Sequence, residues 1–441
     1  MTGVQCFTKT KEETKLAKHT AFMAAATAAL LVGGFSGLAA GKAPAAKPVV
    51  KHKVVTVTLG GWASYADNNV KQMNNFLKPF EKEYPWIHVQ YQPVAGDYET
   101  VLKTEYVAGD AADVVALNNG GQASPFIDAG DVIPLNSYLA ASHASVNDFY
   151  QGSSSLFTYH NKLYAIPRDQ DVLALFYNKT MFAKAGIKSP PTTWAQLETD
   201  AKILTDPKAH IYGIGIDPSE AYWGEFVLQA GGTIFNATKH EMTLNTKAAL
   251  KGFSYYVGLY RKGYAAQPST VGATWSGESF GIGRVAMTIE GGWLISSMAA
   301  DWPSIKYGVA VLPKGPVNND TLSFPVGWAI SKTAPDKQAA WDLVNYMTDQ
   351  GQPAWDAGTE ALPTRPVNTS IAYFKNHPLW KPFLASLPVA RAWTFPNGFD
   401  QYASTTLDNQ TLLAVEGQES PAAALKHLQS AGQQVFQSQG Q

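Results

Sequence analysis

One short motif in this 441-residue chain has the spacing of a hydrolase nucleophile. The run Gly277-Glu278-Ser279-Phe280-Gly281 matches G-x-S-x-G, whose serine normally stands on a sharp turn between a strand and a helix. Here an apolar, strand-like run follows the motif, and Gly281 and Gly283 disfavour a helix. We therefore interpret the match as a coincidence and not as an active site.

Metal-binding and phosphate-binding signatures are missing from the sequence. The 9 histidines are scattered without H-E-x-x-H spacing, and neither GxxxxGK[ST] nor GxGxxG occurs. The single cysteine, Cys6, precedes the apolar N-terminal stretch, so thiol chemistry is not expected in a processed chain. The sequence predicts no metal and no cofactor. Because carboxylates are numerous, a pair flanking a glycosidic bond stays open, and a secreted glycosidase is the alternative enzyme interpretation.

The composition favours a neutral ligand over a charged one. The formal net charge is −1 and only 16% of residues are charged, so no basic field points to nucleic acid. The chain has 12 Trp, 20 Tyr and 20 Phe. Such rings suit a ligand with flat apolar faces, although any one of them is first expected in the core.

The N-terminal residues have the pattern of an export signal. Lysines 9 to 18 precede an apolar stretch, residues 21–40, that ends in small residues. We interpret residues 1–40 as a secretory signal peptide and residues 41–53 as a linker rich in Pro, Ala and Lys. The alternative is an uncleaved membrane anchor, since the stretch is about long enough to span a bilayer.

The elements that would position a site alternate between strand and helix patterns. Residues 54–59 and 87–91 alternate as strands and residues 113–117 form a short apolar strand, while residues 67–84 and 98–108 have helical spacing. This βαβαβ order predicts a parallel sheet covered by helices. We expect Gly60-Gly61-Trp62 to break the first strand and the polar tail from Gln433 to fray.

The middle of the chain repeats this alternation. Residues 171–177, 284–289 and 307–312 are predicted strands, and Thr193 opens a helix. The length exceeds one ordinary core and predicts two domains or large lobes. Several stretches then match one family in the same order along the chain: residues 161–204, 225–232, 280–293, 327–331, 339–341 and 362–365.

These stretches together resemble the carbohydrate-binding receptors of ABC transporters, the maltose-binding-protein-like family. The clearest is FGIGRVAMTIEGGW at residues 280–293, similar to the family's F-x-x-G-x-x-A-M-x-x-x-G-x-W. The resemblance implies an α/β, two-lobed periplasmic-binding-protein fold of type II with three crossings, near residues 168–171, 325–328 and 371–374. It places lobe 1 at 54–170 and 326–372, lobe 2 at 171–325 and 373–435, and a tail at 436–441.

The resemblance also implies a sugar site in the cleft between the lobes. The matching tryptophan of the family stacks on sugar, which makes Trp293 the first candidate. Asp171 stands at the first crossing, where the family often places an acidic contact to the sugar hydroxyls. We add Arg168 and Asp169 as polar groups of the cleft, with a salt bridge between them as the alternative.

Further candidates follow from position. Loops after strands should line the cleft, which selects Trp62, Asp67, Asn118 and Asn119, with turn formation as the alternative for the two asparagines. One of Glu220, Tyr222 and Trp223 is expected there as well. Trp328 lies at the second crossing as a cleft or hinge residue. Tyr402 lies in the C-terminal segment, where the family contributes another aromatic platform.

The sequence therefore predicts a monomeric, non-enzymatic receptor that closes on a mono- or oligosaccharide and presents it to an ABC permease. The family's lipid-anchoring cysteine is missing after the apolar stretch, so we expect a protein free in a periplasm or held at the cell surface by its N-terminus. A polyamine is the alternative solute, because Asp67, Asp169, Asp171 and Glu220 offer acidic groups.

Overall fold

The computed structural model describes residues 52–62, 70–94, 97–118, 123–236, 239–393, 399 and 402–438. The chain divides into a unit of residues 1–51 and a unit of residues 52–441, and only the second is described. The predicted signal peptide, Cys6, nearly all of the predicted linker, Asp67 and Asn119 lie outside the described residues.

The described residues form short strands and helices in alternation. The strands are β1 Val55–Trp62, β2 Ile87–Val94, β3 Val114–Leu117, β4 Thr158–Tyr159, β5 Lys162–Leu163, β6 Ala165–Asp169, β7 Ala174–Asn178, β8 Ile214–Gly215, β9 Phe235–Asn236, β10 Glu241–Met242, β11 Ala265–Ala266, β12 Met287–Glu290, β13 Tyr307–Ala310, β14 Thr321–Ser323, β15 Val326–Ile330 and β16 Ala390–Ala392. The helices are α1 Val70–Glu83, α2 Tyr98–Ala108, α3 Ser124–Asp128, α4 Asn136–Ala141, α5 Gln151–Ser154, α6 Lys179–Lys184, α7 Trp194–Leu204, α8 Glu220–Gln229, α9 Lys247–Arg261, α10 Ser276–Gly281, α11 Trp293–Asp301, α12 Lys337–Thr348, α13 Gln352–Thr359, α14 Ala372–Asn376, α15 Lys381–Ser386, α16 Asp408–Val415 and α17 Pro421–Ser438. A π-helix, Tyr402–Leu407, precedes α16.

The first sheet combines the start of the chain with a strand from much later in the sequence. Its order is β2-β1-β3-β15-β6. Strands β1, β2 and β3 run parallel, as the βαβαβ pattern predicts, whereas β15 is antiparallel to both β3 and β6. The chain thus leaves this sheet after β6 and returns to it at β15, which is the discontinuity that no single linker in the sequence could reveal.

A second sheet lies in the intervening segment. Strand β7 is its centre, with β12 and β13 antiparallel on either side. One hydrophobic core runs from Val57 to Ile166 and from Val326 to Trp355. Two further cores hold buried residues from Val172 to Leu322 and from Leu362 to Phe436. The α/β class and the two-lobed architecture are therefore as predicted, and the residue limits proposed for the lobes remain predictions.

Two local expectations about glycine-rich segments were wrong. Gly60 and Gly61 do not end β1, because the strand stays paired with β2 through Trp62. A Cβ on Gly60 would lie 3.1 Å from Ala112 Cβ, so the missing side chain allows close packing inside the sheet. The G-x-S-x-G motif forms the helix α10, and the Glu278 carboxylate in its first turn accepts hydrogen bonds from the Thr274 N–H and Oγ1 at 2.6 and 2.7 Å.

The serine of that motif is fully buried. Its Oγ donates to the carbonyl oxygen of Trp275 at 3.3 Å, and no strand directly precedes α10. The geometry of a nucleophile elbow, with its hydroxyl exposed at the end of a strand, is therefore not the geometry of Ser279.

The C-terminal helix is longer than the sequence predicts. We expected fraying from Gln433, yet α17 continues to Ser438. Phe436 is fully buried with its ring centroid 4.7 Å from that of Phe399, and the Gln433 side chain accepts from the Met242 N–H and donates to the His240 carbonyl. These long-range contacts hold a segment whose composition alone favours disorder. Among the described residues, no helix combines the length and apolar character needed to cross a membrane.

Candidate functional site

A cavity of about 320 Å³ lies where the two predicted lobes meet. Its walls come from strand ends and from the first turns of helices. Residues of predicted lobe 1 on its wall are Asn118, Asp169, Gln170, Val326, Thr359, Glu360 and Ala361. Residues of predicted lobe 2 on its wall are Asp171, Gly292, Trp293, Ser296 and Phe324.

Trp293 presents an aromatic face to this cavity. It begins α11 directly after the Gly291-Gly292 turn that follows β12, and 40% of its surface is exposed. A Cβ on Gly291 would lie 2.2 Å from the indole Cζ3, so the ring lies against a backbone that only glycine leaves open. The indole Nε1–H donates to Glu290 Oε2 at 2.9 Å. The ring is therefore exposed on one side and anchored on the other.

Asp171 is held at the first crossing by backbone donors. Its carboxylate accepts from the Gly292 N–H at 2.9 and 3.0 Å and from the Val172 N–H at 2.8 Å. Burial raises the pKa of Asp171 to about 7, although these hydrogen bonds oppose the shift. The bonds connect the crossing directly to the Gly-Gly turn that carries Trp293, so the two predicted residues form one local structure.

Asp169 and Arg168 form a salt bridge with each other, which was the alternative to their being polar groups of the cleft. Arg168 Nε donates to Asp169 Oδ2 at 2.6 Å, and both residues are buried. The guanidinium lies between Trp328 and Trp355, 4.8 and 4.6 Å from their ring centroids. Asp169 also accepts from Trp355 Nε1 at 2.9 Å and still reaches the cavity wall. Arg168 thus acts as a brace beneath the first crossing.

A side-chain hydrogen bond between the predicted lobes lies on the cavity wall. Ser296 Oγ, on the first turns of α11, donates to Glu360 Oε2 at 2.7 Å. Glu360 ends α13 in a left-handed conformation with φ of 58°, which turns the chain towards the wall of the cavity.

Buried carboxyls gather behind the aromatic wall of lobe 2. Glu220, Glu225 and Glu290 are almost completely buried, and burial raises the pKa of Glu220 and of Glu290 to about 8. Burial raises the pKa of Glu225 well above its ordinary value too. Among the described residues none of the three forms an ion pair with a basic side chain. Burial therefore favours the neutral form of each of these three groups.

The structure brings four predicted residues to the cavity: Asn118, Asp169, Asp171 and Trp293. Trp62 ends β1 half-buried, with its ring 4.6 Å from that of Tyr98. Asp67 and Asn119 lie outside the described residues. Glu220 and Tyr222 stand behind the wall, where the Glu220 carboxylate accepts from Trp393 Nε1 and the Tyr222 hydroxyl donates to Glu290.

Three predicted aromatic residues belong to the cores and not to the cavity surface. Trp223 is fully buried against Phe253, with ring centroids 5.0 Å apart. Trp328 is 1% exposed beneath Arg168, and Tyr402 is 3% exposed with its hydroxyl donating to the Leu428 carbonyl at 2.8 Å. Their faces are covered by protein in this structure. That one of Glu220, Tyr222 and Trp223 lines the cleft, that Trp328 is a cleft or hinge residue and that Tyr402 offers an aromatic platform stay predictions.

The sequence analysis missed several residues of the wall. Phe324 lies half-buried between two tryptophans, its ring centroid 6.0 Å from Trp293 and 5.4 Å from Trp393. Its position directly before the second crossing could have identified it as a cavity residue from the sequence. Ser296, Thr359 and Glu360 had none, because nothing in their local pattern distinguishes them from surface residues of helices.

Comparisons with known proteins agree with this architecture. The sequence profile of the family described as bacterial extracellular solute-binding protein matches residues 62–352. A binding protein of Brucella abortus is 26% identical over 377 residues, covering 82% of this chain and 89% of that protein. The multiple sugar-binding protein of Streptococcus mutans is 24% identical over 342 residues, covering 71% of this chain and 80% of that protein. A solute-binding protein from Thermotoga lettingae, solved bound with α-D-tagatose, superposes with a TM-score of 0.70 at 25% identity, covering 87% of this chain and all of that one.

Proposed function

The chain belongs to the family of bacterial extracellular solute-binding proteins, and from this we propose that it captures a mono- or oligosaccharide in the cavity between its lobes. It acts outside the cytoplasm as the receptor of an ABC uptake system and passes the sugar to a membrane permease. It works as a monomer, is exported by its N-terminal signal peptide, and has no nucleic-acid partner.

The observation that carries this proposal is the pairing of Trp293 with polar groups across one cavity. A sugar ring has C–H patches on its faces and hydroxyls around its edge, so it needs an aromatic face and several acceptors in one place. The exposed indole supplies the face, while Asp171 and Asn118 are polar groups that line the same cavity. Names of relatives support the same class, since the Streptococcus mutans protein is a multiple sugar-binding protein.

Closure of the lobes would complete the site. Residues of the cavity come from both predicted lobes, and a ligand drives closure only if it binds the closed form better than the open one. The chain passes between the sheets near Asp169 and again before Val326, and such short extended crossings limit bending to a few dihedral angles.

The test is a binding screen with a product check. Isothermal calorimetry and thermal shift would be measured with tagatose, raffinose, maltotetraose and mannitol, and each mixture would be analysed afterwards by chromatography. We expect saturable binding and a higher melting temperature with at least one sugar, and no cleavage. Cleavage of an oligosaccharide would establish the glycosidase alternative. Failure of every saccharide to bind would contradict the proposal.

A cationic solute is the second candidate, because three carboxylates lie on the cavity wall. Asp169, Asp171 and Glu360 line it, and no Lys or Arg is among its described lining residues. An ammonium group would find acidic partners there. Including spermidine and putrescine in the same screen separates the two classes: a polyamine that binds while every sugar fails would favour this second candidate.

A further inference from the structure

A buried glutamate stands directly behind the aromatic face of the cavity. Glu290 ends β12 and is fully buried. Its Oε2 accepts from Trp293 Nε1 at 2.9 Å, and its two oxygens lie 3.3 and 3.4 Å from the Tyr222 hydroxyl, which donates to them. The Gly277 backbone N–H hydrogen-bonds to the same carboxyl. One acceptor group therefore joins the cavity tryptophan to α8 and to the start of α10.

The indole of Trp293 has few other restraints. Its inner face lies against Gly291, and the ring of Phe324 approaches edge-on with a centroid distance of 6.0 Å. With 40% of its surface exposed, the side chain is not enclosed by the core. The hydrogen bond to Glu290 is directional, whereas the other two contacts permit the ring to pivot.

The same arrangement occurs a second time, at a tryptophan that packs against the wall residue Phe324. Trp393 is half-buried, and its Nε1–H donates to Glu220, another almost fully buried carboxyl. Phe324 lies between the two tryptophans. The indole at each end of this aromatic row thus donates to a buried glutamate. Burying a carboxyl without a basic partner costs free energy, and the hydrogen bond from the indole offsets part of that cost.

We propose that Glu290 is a positioning residue for ligand binding: it fixes the plane of the Trp293 indole so that the exposed face is already oriented for a stacked ring. This rests on the proposed function, in which Trp293 stacks on the ligand. A fixed ring loses little side-chain entropy when the ligand binds, so the affinity gained from stacking depends on the anchor.

A double-mutant cycle tests whether Glu290 acts through Trp293. The dissociation constant of the sugar identified in the screen would be measured for the wild type, Glu290→Met, Trp293→Ala and the double variant. Glu290→Met should weaken binding about 10-fold in the wild-type background and less than about 2-fold when Trp293 is already alanine. Glu290→Gln keeps an acceptor oxygen and should bind within about 3-fold of the wild type. Equal losses in both backgrounds, or no loss in either, would overturn the proposal.

A ligand-free measurement separates this proposal from the proposed function. The Trp293 indole N–H resonance, assigned by its disappearance in Trp293→Phe, would be followed during exchange into deuterated water. We expect slow exchange in the wild type and in Glu290→Gln, and fast exchange in Glu290→Met. If Glu290→Met does not fold, the wild type alone still decides, because an indole N–H held by Glu290 exchanges slowly and one that is not held exchanges fast. Fast exchange in the wild type would contradict the anchoring of Trp293 by Glu290, even if sugars bind. Slow exchange would support that anchoring, even if no sugar binds.

Discussion

The buried carboxyl of Glu220 should make the protein less stable as the pH rises. The residue is 3% exposed, and burial raises its pKa from 4.5 to about 8, with the nearby Asp408 adding to the shift and the Trp393 hydrogen bond opposing it. A folded-state pKa above the unfolded value means that the folded chain binds the proton more tightly. The stabilisation is therefore present below about pH 4.5 and is lost progressively up to about pH 8.

The size of the effect follows from that difference in pKa. At about 1.4 kcal/mol per pKa unit, ionising Glu220 inside the fold costs on the order of 5 kcal/mol. Glu220→Gln removes this cost and retains an oxygen that accepts from Trp393 Nε1. The variant should match the wild type near pH 4.5 and exceed its stability above pH 8. For a chain of this size the gain corresponds to roughly 5 °C in melting temperature.

The assay is thermal unfolding followed by circular dichroism from pH 4.5 to 9 for the wild type, Glu220→Gln and Glu416→Gln. Glu416 is exposed on the surface, so the matched control should follow the wild type within about 1 °C. Other buried acids titrate in all three proteins, and the difference between the curves isolates Glu220. Parallel curves for wild type and Glu220→Gln across the whole range would refute the reasoning.

Three further outcomes are expected. Trp293→Ala should raise the dissociation constant of the bound sugar about 10-fold by calorimetry while shifting the melting temperature little, because the ring is partly exposed; a lost melting transition would instead make it a core residue. Saturating ligand should reduce the radius of gyration in small-angle scattering, and an unchanged radius with calorimetric binding would remove lobe closure from this account. Phe436→Ala should lower the free energy of unfolding by about 3–5 kcal/mol in urea, since the ring is fully buried; a loss below about 1 kcal/mol would mean that the helix end contributes little.

The sequence anticipated the architecture better than the details of the site. Period-two and helical spacing located β1, β2, β3 and the helices between them, because burial on one face imposes those periods on the residues themselves. The Gly291-Gly292-Trp293 segment after β12 could also be recognised from the sequence. The burial of Trp328 and Trp223 was not predictable, because position along the chain does not say which side of the backbone faces the core.

Other features depend on contacts that no local pattern encodes. The end of α17 is ordered by Phe399 and by the segment around His240, far away in sequence. The glutamates behind the aromatic wall could not be identified in advance either. In sequence Glu290 is an ordinary acidic residue at the end of a strand, and only the fold reveals that its carboxyl is fully enclosed.

The hydrogen bond from Ser296 to Glu360 has a consequence for measured affinity. It links Ser296 of predicted lobe 2 to Glu360 of predicted lobe 1 at 2.7 Å, so it favours any conformation that keeps these two residues together. If the ligand binds the closed form better, as the proposed closure requires, a bond that favours the closed form raises the apparent affinity, because it raises the fraction of molecules in the form that the ligand prefers. Two exposed polar side chains on the cavity wall would in this way influence the solute concentration at which uptake begins.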